Sequence, residues 1–392
     1  MRSGLILGIE SSCDETSAAV VREGRETLAN VVASQLVHAD YGGVVPELAS
    51  REHLRAIVPV VREAMRRADV SYDDLDAIAV TEGPGLAGAL LVGITFAKAA
   101  AFAASRPLIA VNHLEGHIHA VLMEAETAFA ARSPLLALVV SGGHTHLYLA
   151  SRTGEGIWQY RNIGKTLDDA AGEAYDKVAK LLGLPYPGGP WMDVLASYGD
   201  PQAVPFSFAQ IKQKASGRMP VKLARERVSD EQRFDLSFSG IKTAVRRYVE
   251  LHGMRERNAA RHSALREAGL FTAKPTDPAA LEAALKQLDP ETLNLIASFQ
   301  ASVAGYLTRT AMAAAERFAA QGLAVTGGVA ANRELRRRVT EAAKARGLPV
   351  AFPSIALSTD NAAMIAAAAW PKLLTGHFAE DTLEPTPQLR LG

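Results

Sequence analysis

Two distant segments of the chain share one pattern, and this pattern limits the possible folds more than any other feature. LILGIESSCDETSAAVV starts at residue 5 and LALVVSGGHTHLYLA starts at residue 136. Each has an apolar strand, a tight polar or glycine turn and a second alternating strand, so each predicts a β-hairpin. Two such hairpins, roughly 130 residues apart, indicate two similar lobes that face each other.

The wider pattern predicts an α/β fold. Short apolar strands at residues 5–9, 77–80, 108–111, 135–140 and 324–325 alternate with alanine-rich helices at 90–104 and 298–320. Duplicated lobes with facing hairpins are the plan of the two-lobed actin-like, Hsp70-like and sugar-kinase-like proteins, where both turns point at the phosphates of a nucleotide.

The chain of 392 residues is long enough for two domains. We predict a first lobe at 1–130, completed by residues 371–392, and a second lobe at 131–370. The stretch 253–288 is rich in Arg, Glu, Ala and Lys and predicts a helical insertion at the surface.

Composition narrows the location and the partners. A single cysteine excludes an internal disulfide and fits a reducing cytoplasm, and no apolar run reaches the length of a membrane span. The 42 basic and 42 acidic residues give no overall field that would attract nucleic acid. A local excess, six basic residues and one acid, lies at 210–229. It is a solvated loop or a contact for RNA.

HLEGH places His113 and His117 four residues apart, so on a helix both side chains project from one face and can share a metal ion. A pair of ordinary core histidines has the same spacing. The pair follows the strand LIAVN, and α/β proteins bind ligands at the carboxyl ends of strands, which favours the metal. Zinc proteases need a glutamate directly after the first histidine, where this chain has Leu114.

Several glycine-rich turns could approach a ligand closely. GPGLAG at 83–88 resembles a dinucleotide fingerprint, but the next strand ends in Asn112 and lacks the acid that would hold a ribose. SGGHT at 141–145 is either a phosphate-binding nest or a plain hairpin turn. In VTGGVAANREL a strand ends in two glycines and a helix starts near Asn332. YPGGP at 186–190 predicts an exposed turn.

SSCDET places Asp14 and Glu15 at the first hairpin turn. Two adjacent acids that face a phosphate site are costly unless a metal, an amine or a proton transfer uses them. Cys13 is interpreted as a packing residue rather than a nucleophile, because no histidine close in sequence can activate it.

The motifs together closely resemble the universal tRNA threonylcarbamoyladenosine transferase family, called TsaD in bacteria. They follow the order of the family and cover nearly the whole chain: GIESSCDET, GGVVPELASREH, TEGPGLAGALLVG, NHLEGHIHA, VVSGGHT, DDAAGEAYDKVAKLLGLPYPGGP, FSFSGIKTA, TGGVAANREL and STDNAAMIA. The stretches 210–229 and 253–288 exceed the expected length of a bacterial member.

The resemblance implies site residues that spacing alone does not supply. It adds Asp360 of STDNAAM as a third ligand of an iron or zinc ion, and Asp14 as a residue linked to activity. It also implies that threonylcarbamoyl-adenylate binds to a set spread over four motifs: Val139, Val140, Ser141, Gly142, Gly143, Asp176, Gly189, Asp193 and Asn332.

The implied reaction transfers the threonylcarbamoyl group from this adenylate to the exocyclic amine of adenosine 37 in tRNAs that read codons beginning with A, with release of AMP. The implied partners are tRNA, the degenerate paralogue TsaB in a heterodimer, and the P-loop ATPase TsaE. A carbamoyltransferase of another branch, a sugar-kinase-type phosphotransferase and a non-enzymatic paralogue are the alternatives. Intact His113, His117 and Asp360 disfavour the last.

Overall fold

The computed structural model contains two five-stranded sheets with the same topology. It describes residues 4–35, 37–38, 41, 43–129, 132–154, 157–206, 208 and 233–392, so the basic stretch at 210–229 lies outside the described residues. The strands are β1 Leu5–Glu10, β2 Glu15–Arg22, β3 Glu26–Ser34, β4 Ala77–Gly83, β5 Leu108–Asn112, β6 Leu135–Val140, β7 Thr145–Arg152, β8 Trp158–Lys165, β9 Gly322–Thr326 and β10 Val350–Ala351.

The first sheet has the order β3-β2-β1-β4-β5 and the second has the order β10-β9-β6-β7-β8. In each sheet the first three strands along the chain are antiparallel neighbours, and the last two are added in parallel. Both predicted hairpins are present, as β1–β2 and β6–β7. The repeated order confirms the prediction of a duplicated two-lobed α/β fold.

The helices fill three layers around the two sheets. Their bounds are α1 Pro46–Ala68, α2 Ala87–Ala104, α3 His113–Glu124, α4 Glu126–Phe129, α5 Ala171–Leu181, α6 Gly188–Leu195, α7 Ser239–Leu251, α8 Arg255–Glu267, α9 Pro278–Leu285, α10 Pro290–Arg317, α11 Arg333–Lys344, α12 Ile355–Ser358 and α13 Ala362–Thr375. The predicted insertion is helical and consists of α8 and α9. Leu265 and Ala284 pack it into the hydrophobic core of the second sheet.

The first sheet is buried on both faces, which explains why β1 is a continuous apolar run rather than an alternating one. Leu7 and Ile9 pack with α1 and α2 on one face. Ile6, on the other face, packs with α13. Helix α13 therefore lies on the first sheet although it begins at residue 362. The predicted division of the chain at 130 and 370 stays a prediction.

Helix α3 lies between the two sheets. Its residues Leu114, Ile118 and Val121 share a core with Leu135 and Ala137 of the second sheet. Other side chains of α3 pack with α13, which covers the first sheet. The helix that starts with HLEGH is thus held by both lobes.

Helix α2 is, by length and composition alone, apolar enough to cross a membrane. Leu90 and Ile94 of this helix pack in the first core against the sheet. A buried core helix has the same composition, so α2 is weak evidence for a membrane span.

Candidate metal centre and adjoining turns

The two histidines of HLEGH lie on the first two turns of α3. His113 is the first residue of this helix and directly follows β5, and the Asn112 side chain caps the helix by accepting a hydrogen bond from the Leu114 amide at 2.9 Å. The rings of His113 and His117 are buried with centroids 4.7 Å apart. The position at the carboxyl end of a strand is the one that the sequence predicts.

Asp360 reaches the same point from the segment between α12 and α13. Its Oδ1 atom lies 3.1 Å from His117 Nε2 and 3.6 Å from His113 Nε2. One ligand atom of each residue lies within 4.8 Å of the others, so the cluster could hold a metal ion. Two imidazole nitrogens and one carboxylate leave coordination positions open, as catalytic sites require.

The hydrogen bonding of His117 fits a metal ligand. Its Nδ1 atom has no hydrogen-bond partner among the described residues although the ring is fully buried, and its Nε2 atom lies 3.1 Å from Asp360 Oδ1 without the geometry of a hydrogen bond. Its backbone carbonyl accepts a hydrogen bond from the Thr326 hydroxyl at 2.7 Å, which ties this turn of α3 to the second sheet. A buried, unpartnered imidazole is costly, and a bound cation would offset that cost.

Glu10, at the end of β1, is a functional candidate that sequence reasoning missed. It is fully buried, and its Oε2 atom lies 3.0 Å from His113 Nδ1. It also accepts hydrogen bonds from the Ser12 amide at 2.6 Å and the Thr81 hydroxyl at 2.8 Å. The available signal was a charged residue at the end of the otherwise apolar LILGIE.

The charges of the centre shift the pKa values of its members in opposite directions. Burial lowers the pKa of His113, but Asp360 and Glu10 outweigh it and raise the pKa to about 9. Burial raises the pKa of Asp360, yet His113 and His117 hold it well below its usual range. Without a metal, His113 is therefore protonated at neutral pH and lies between two carboxylates.

The first hairpin turn brings further acids to this place. Burial, and then the charge of Asp14, raise the pKa of Glu15 well above its usual value. Burial and Asp14 also raise the pKa of the Cys13 thiol, which disfavours a nucleophile. His53 of α1 holds the turn through Thr16 Oγ1 at 2.7 Å and the Cys13 carbonyl at 3.0 Å.

The second hairpin turn follows Val139 and Val140 of β6, which the family resemblance implicates. The amide of Ser141 is used inside the turn, but the amides of Gly142 and Gly143 have no hydrogen-bond partner among the described residues. Open space lies beside both glycines. These two amides are therefore available to donate hydrogen bonds to a ligand.

His144 of this turn links it to the metal centre. The ring centroids of His144 and His113 are 5.9 Å apart. Burial, followed by the neighbouring histidines, lowers the pKa of His144 to about 3, so the ring is neutral at physiological pH. The structure thus brings the second hairpin turn to the ligands on α3.

The segment 186–190 was predicted to be an exposed glycine turn, and Pro187 and Pro190 are exposed, but the turn ends at Pro187 and a helix follows. Helix α6 begins at Gly188 because Asp176 Oδ1 accepts hydrogen bonds from the Gly188 amide at 2.8 Å and the Gly189 amide at 3.3 Å. Burial raises the pKa of Asp176 to about 6 in spite of these two bonds. Its second oxygen has no hydrogen-bond partner among the described residues.

Asp193 and Asn332 form another connected group. Asp193 Oδ1 accepts a hydrogen bond from the Arg333 amide at 3.0 Å. Asn332 caps α11 through the Leu335 amide at 3.0 Å and donates to Gln300 at 2.8 Å. Helix α11 starts where the sequence predicts. Ligand binding by these residues, as by the other predicted site residues, stays a prediction.

The family model of tRNA N6-adenosine threonylcarbamoyltransferase matches residues 26–367. The chain is 58% identical over 394 residues to a tRNA N6-adenosine threonylcarbamoyltransferase from Koribacter versatilis, with 100% of both chains covered. It is 48% identical to one from Geobacter sp. over 92% of this chain and 89% of the relative.

Among solved structures, the chain is similar to full-length HypF in its phosphate- and nucleotide-bound form. The TM-score is 0.52 and the identity is 12%, over 95% of this chain and 46% of HypF. At this identity the likeness concerns the fold alone, and it agrees with the two-lobed actin-like architecture.

Proposed function

The chain belongs to the tRNA N6-adenosine threonylcarbamoyltransferase family, and from this premise we propose the following reaction. It transfers the threonylcarbamoyl group from threonylcarbamoyl-adenylate to the exocyclic amine of adenosine 37, in tRNAs reading codons that begin with A, and releases AMP. The observation that carries this proposal is the meeting of His113, His117 and Asp360 beside the free amides of Gly142 and Gly143.

The reaction forms one bond and breaks one. The adenosine amine attacks the carbamoyl carbon, the bond from this carbon to the phosphate oxygen breaks, and AMP leaves with the electron pair. The amides of Gly142 and Gly143 would donate hydrogen bonds to the leaving phosphate, where negative charge increases.

The attacking amine must lose a proton, and we assign Asp14 to accept or orient it. The raised pKa of the Glu15 carboxyl favours its neutral form beside Asp14, which lessens the negative charge that faces the anionic adenylate. The order of proton transfers among these acids is part of the proposal.

His113, His117 and Asp360 would hold one iron or zinc ion, because imidazole nitrogen and carboxylate oxygen suit both metals. When bound, the ion would supply positive charge that orients oxygen atoms of the adenylate and offsets charge in the transition state. The chain's own part is to fix the two rings on α3, which both lobes clamp.

Asp176, Gly189, Asp193 and Asn332 would bind the nucleoside part of the adenylate. A carboxylate accepts hydrogen bonds, so the free oxygen of Asp176 suits a hydroxyl or an amino group rather than a phosphate. The Asn332 side chain also bonds to the Leu335 amide and to Gln300, so its part in binding is indirect. We therefore assign it to shaping the pocket around the nucleoside.

The proposed partners are tRNA, TsaB and TsaE in the cytoplasm. The exposed side chains Leu54 and Val58 lie one turn apart on α1, and Leu91 and Phe102 lie on one face of α2, with Phe102 89% exposed. These two neighbouring apolar faces suit a paralogue with matching helices. TsaE follows from the family resemblance alone, and the neutral overall charge fits a tRNA enzyme that needs partner proteins.

The test measures the transfer of radiolabelled threonine into tRNA with bicarbonate, ATP and the partner proteins. His113→Ala and His117→Ala should lose both bound metal and transfer. His119→Gln is the matched control, because His119 is buried on the same helix but contacts the Tyr160 hydroxyl instead. Full transfer by either alanine variant would refute the metal assignment.

A second measurement tests the substrate. Mass spectrometry of tRNA nucleosides from cells depleted of the protein should show loss of threonylcarbamoyladenosine. Unchanged amounts would refute the proposed reaction and would favour a carbamoyltransferase that acts on a small molecule.

A further inference from the structure

Glu10 is a fully buried carboxylate outside the set of metal ligands. It lies at the carboxyl end of β1, the central strand of the first sheet. A buried charge is retained only where several donors compensate its lost hydration. The identity of these donors indicates what the residue does.

Three groups donate to Glu10. The Ser12 amide binds Oε1 at 2.6 Å, and a backbone N–H can only donate. The Thr81 hydroxyl binds Oε2 at 2.8 Å. His113 Nδ1 lies 3.0 Å from the same Oε2, and an ionised carboxylate can only accept. The Ser12 hydroxyl, 3.2 Å from the same nitrogen, can accept as well as donate. Both contacts fit a proton on Nδ1, and the unprotonated atom of the neutral ring is then Nε2.

We propose that Glu10 is a positioning residue for the metal centre, which fixes the tautomer and the orientation of His113 so that the Nε2 lone pair faces Asp360 and the metal. A carboxylate on the far nitrogen of a metal-binding histidine also increases the basicity of the ring. The inference deepens the proposed function and rests on the same metal assignment.

Glutamine at position 10 tests this role because it has nearly the same shape but one donor in place of an acceptor. An amide nitrogen at the Oε1 position would oppose the Ser12 N–H. At the Oε2 position the Thr81 hydroxyl could rotate to accept from it, but the amide would require an unprotonated His113 Nδ1. That tautomer has its hydrogen on Nε2, where the metal would bind.

The experiment measures the zinc dissociation constant of the full-length protein by competition with a chelator, without tRNA or nucleotide. We expect Glu10→Gln to raise this constant roughly 10- to 100-fold. Thr81→Val, which removes one donor to Glu10 but none to His113, should raise it by a smaller factor, about threefold. Nitrogen NMR of His113 in metal-free protein at about pH 10 should show the Nδ1–H tautomer, and a mixture in Glu10→Gln.

Glu115→Gln is the control, since Glu115 is also buried and lies on α3, but it pairs with Lys372 at 2.8 Å and not with a metal ligand. A zinc dissociation constant of Glu10→Gln within about twofold of that of the unmodified protein would overturn the inference. An equally large increase of this constant in Glu115→Gln would overturn it too. If Glu10→Gln does not fold, Thr81→Val decides, and unchanged zinc affinity overturns the inference. Absence of transfer by the metal-loaded, unmodified protein would refute the proposed function and leave this result intact.

Discussion

Metal binding at His113, His117 and Asp360 should release about one proton per ion at neutral pH. Burial lowers the pKa of His113, but Asp360 and Glu10 raise it to about 9, so the metal-free ring is protonated at pH 7. The ion must displace this proton before Nε2 can bind it. Asp360 releases none, because the two histidines outweigh its burial and keep its pKa low.

The direction of the pH dependence follows because the proton and the metal ion compete for one nitrogen, His113 Nε2. Raising the pH toward 9 removes the competing proton, so metal affinity increases up to that pH and then levels off. Each pH unit below 9 should weaken binding about tenfold, which corresponds to about 1.4 kcal/mol. Between pH 8 and pH 6 the dissociation constant should therefore rise about 100-fold, or about 2.7 kcal/mol.

Isothermal titration with zinc in buffers of different ionisation enthalpy measures both quantities, since the apparent heat changes with the number of protons taken up by the buffer. His119→Gln is a suitable control, because burial lowers the pKa of His119 to about 4 and the ring is already neutral. This variant should keep the same pH dependence. An affinity that is constant from pH 6 to pH 8, with no proton released, would refute the assigned charge state of His113.

Three further predictions concern stability and assembly. Asp176→Asn should increase the free energy of unfolding in urea by at most about 3 kcal/mol at pH 8. The native pKa of about 6 exceeds the usual 3.8, so the cost of burying the ionised aspartate grows as pH rises through 6. An equally large increase in stability at pH 4 would contradict this. Gly327→Ala should lower the free energy of unfolding by about 1–3 kcal/mol, since φ is +94° and an added Cβ would lie 2.4 Å from a β6 carbonyl oxygen. Gly328→Ala should lower it less, because open space lies beside Gly328. Equal losses of stability would contradict the steric argument. Leu54→Asp and Leu91→Asp should each weaken the proposed complex with TsaB at least about tenfold in sedimentation experiments without changing the melting temperature. Unchanged assembly would exclude these helix faces as the interface.

Local features of the chain were predictable to the extent that they depend on near neighbours in sequence. Both hairpins follow from alternating apolar residues around polar turns, and β6 has the predicted limits at Leu135 and Val140. Helix α11 begins after Asn332 because this residue caps it locally. The exposed turn predicted at 186–190 gives way to helix α6 at Gly188, which the sequence did not indicate because Asp176, whose carboxylate binds the first amides of α6, approaches from another helix.

The metal centre shows the division between sequence and tertiary structure. The spacing of His113 and His117 by itself determines that both rings share one face of a helix, since the helical repeat is local. Asp360 was predicted as the third ligand only from the family resemblance, and only the fold shows its carboxylate beside both rings. The contact between Glu10 and His113 was decided by tertiary structure alone. It joins residues 103 positions apart and exists because β1 pairs with β4, and β4 with β5, so that the ends of strands distant in sequence meet at one edge of the sheet.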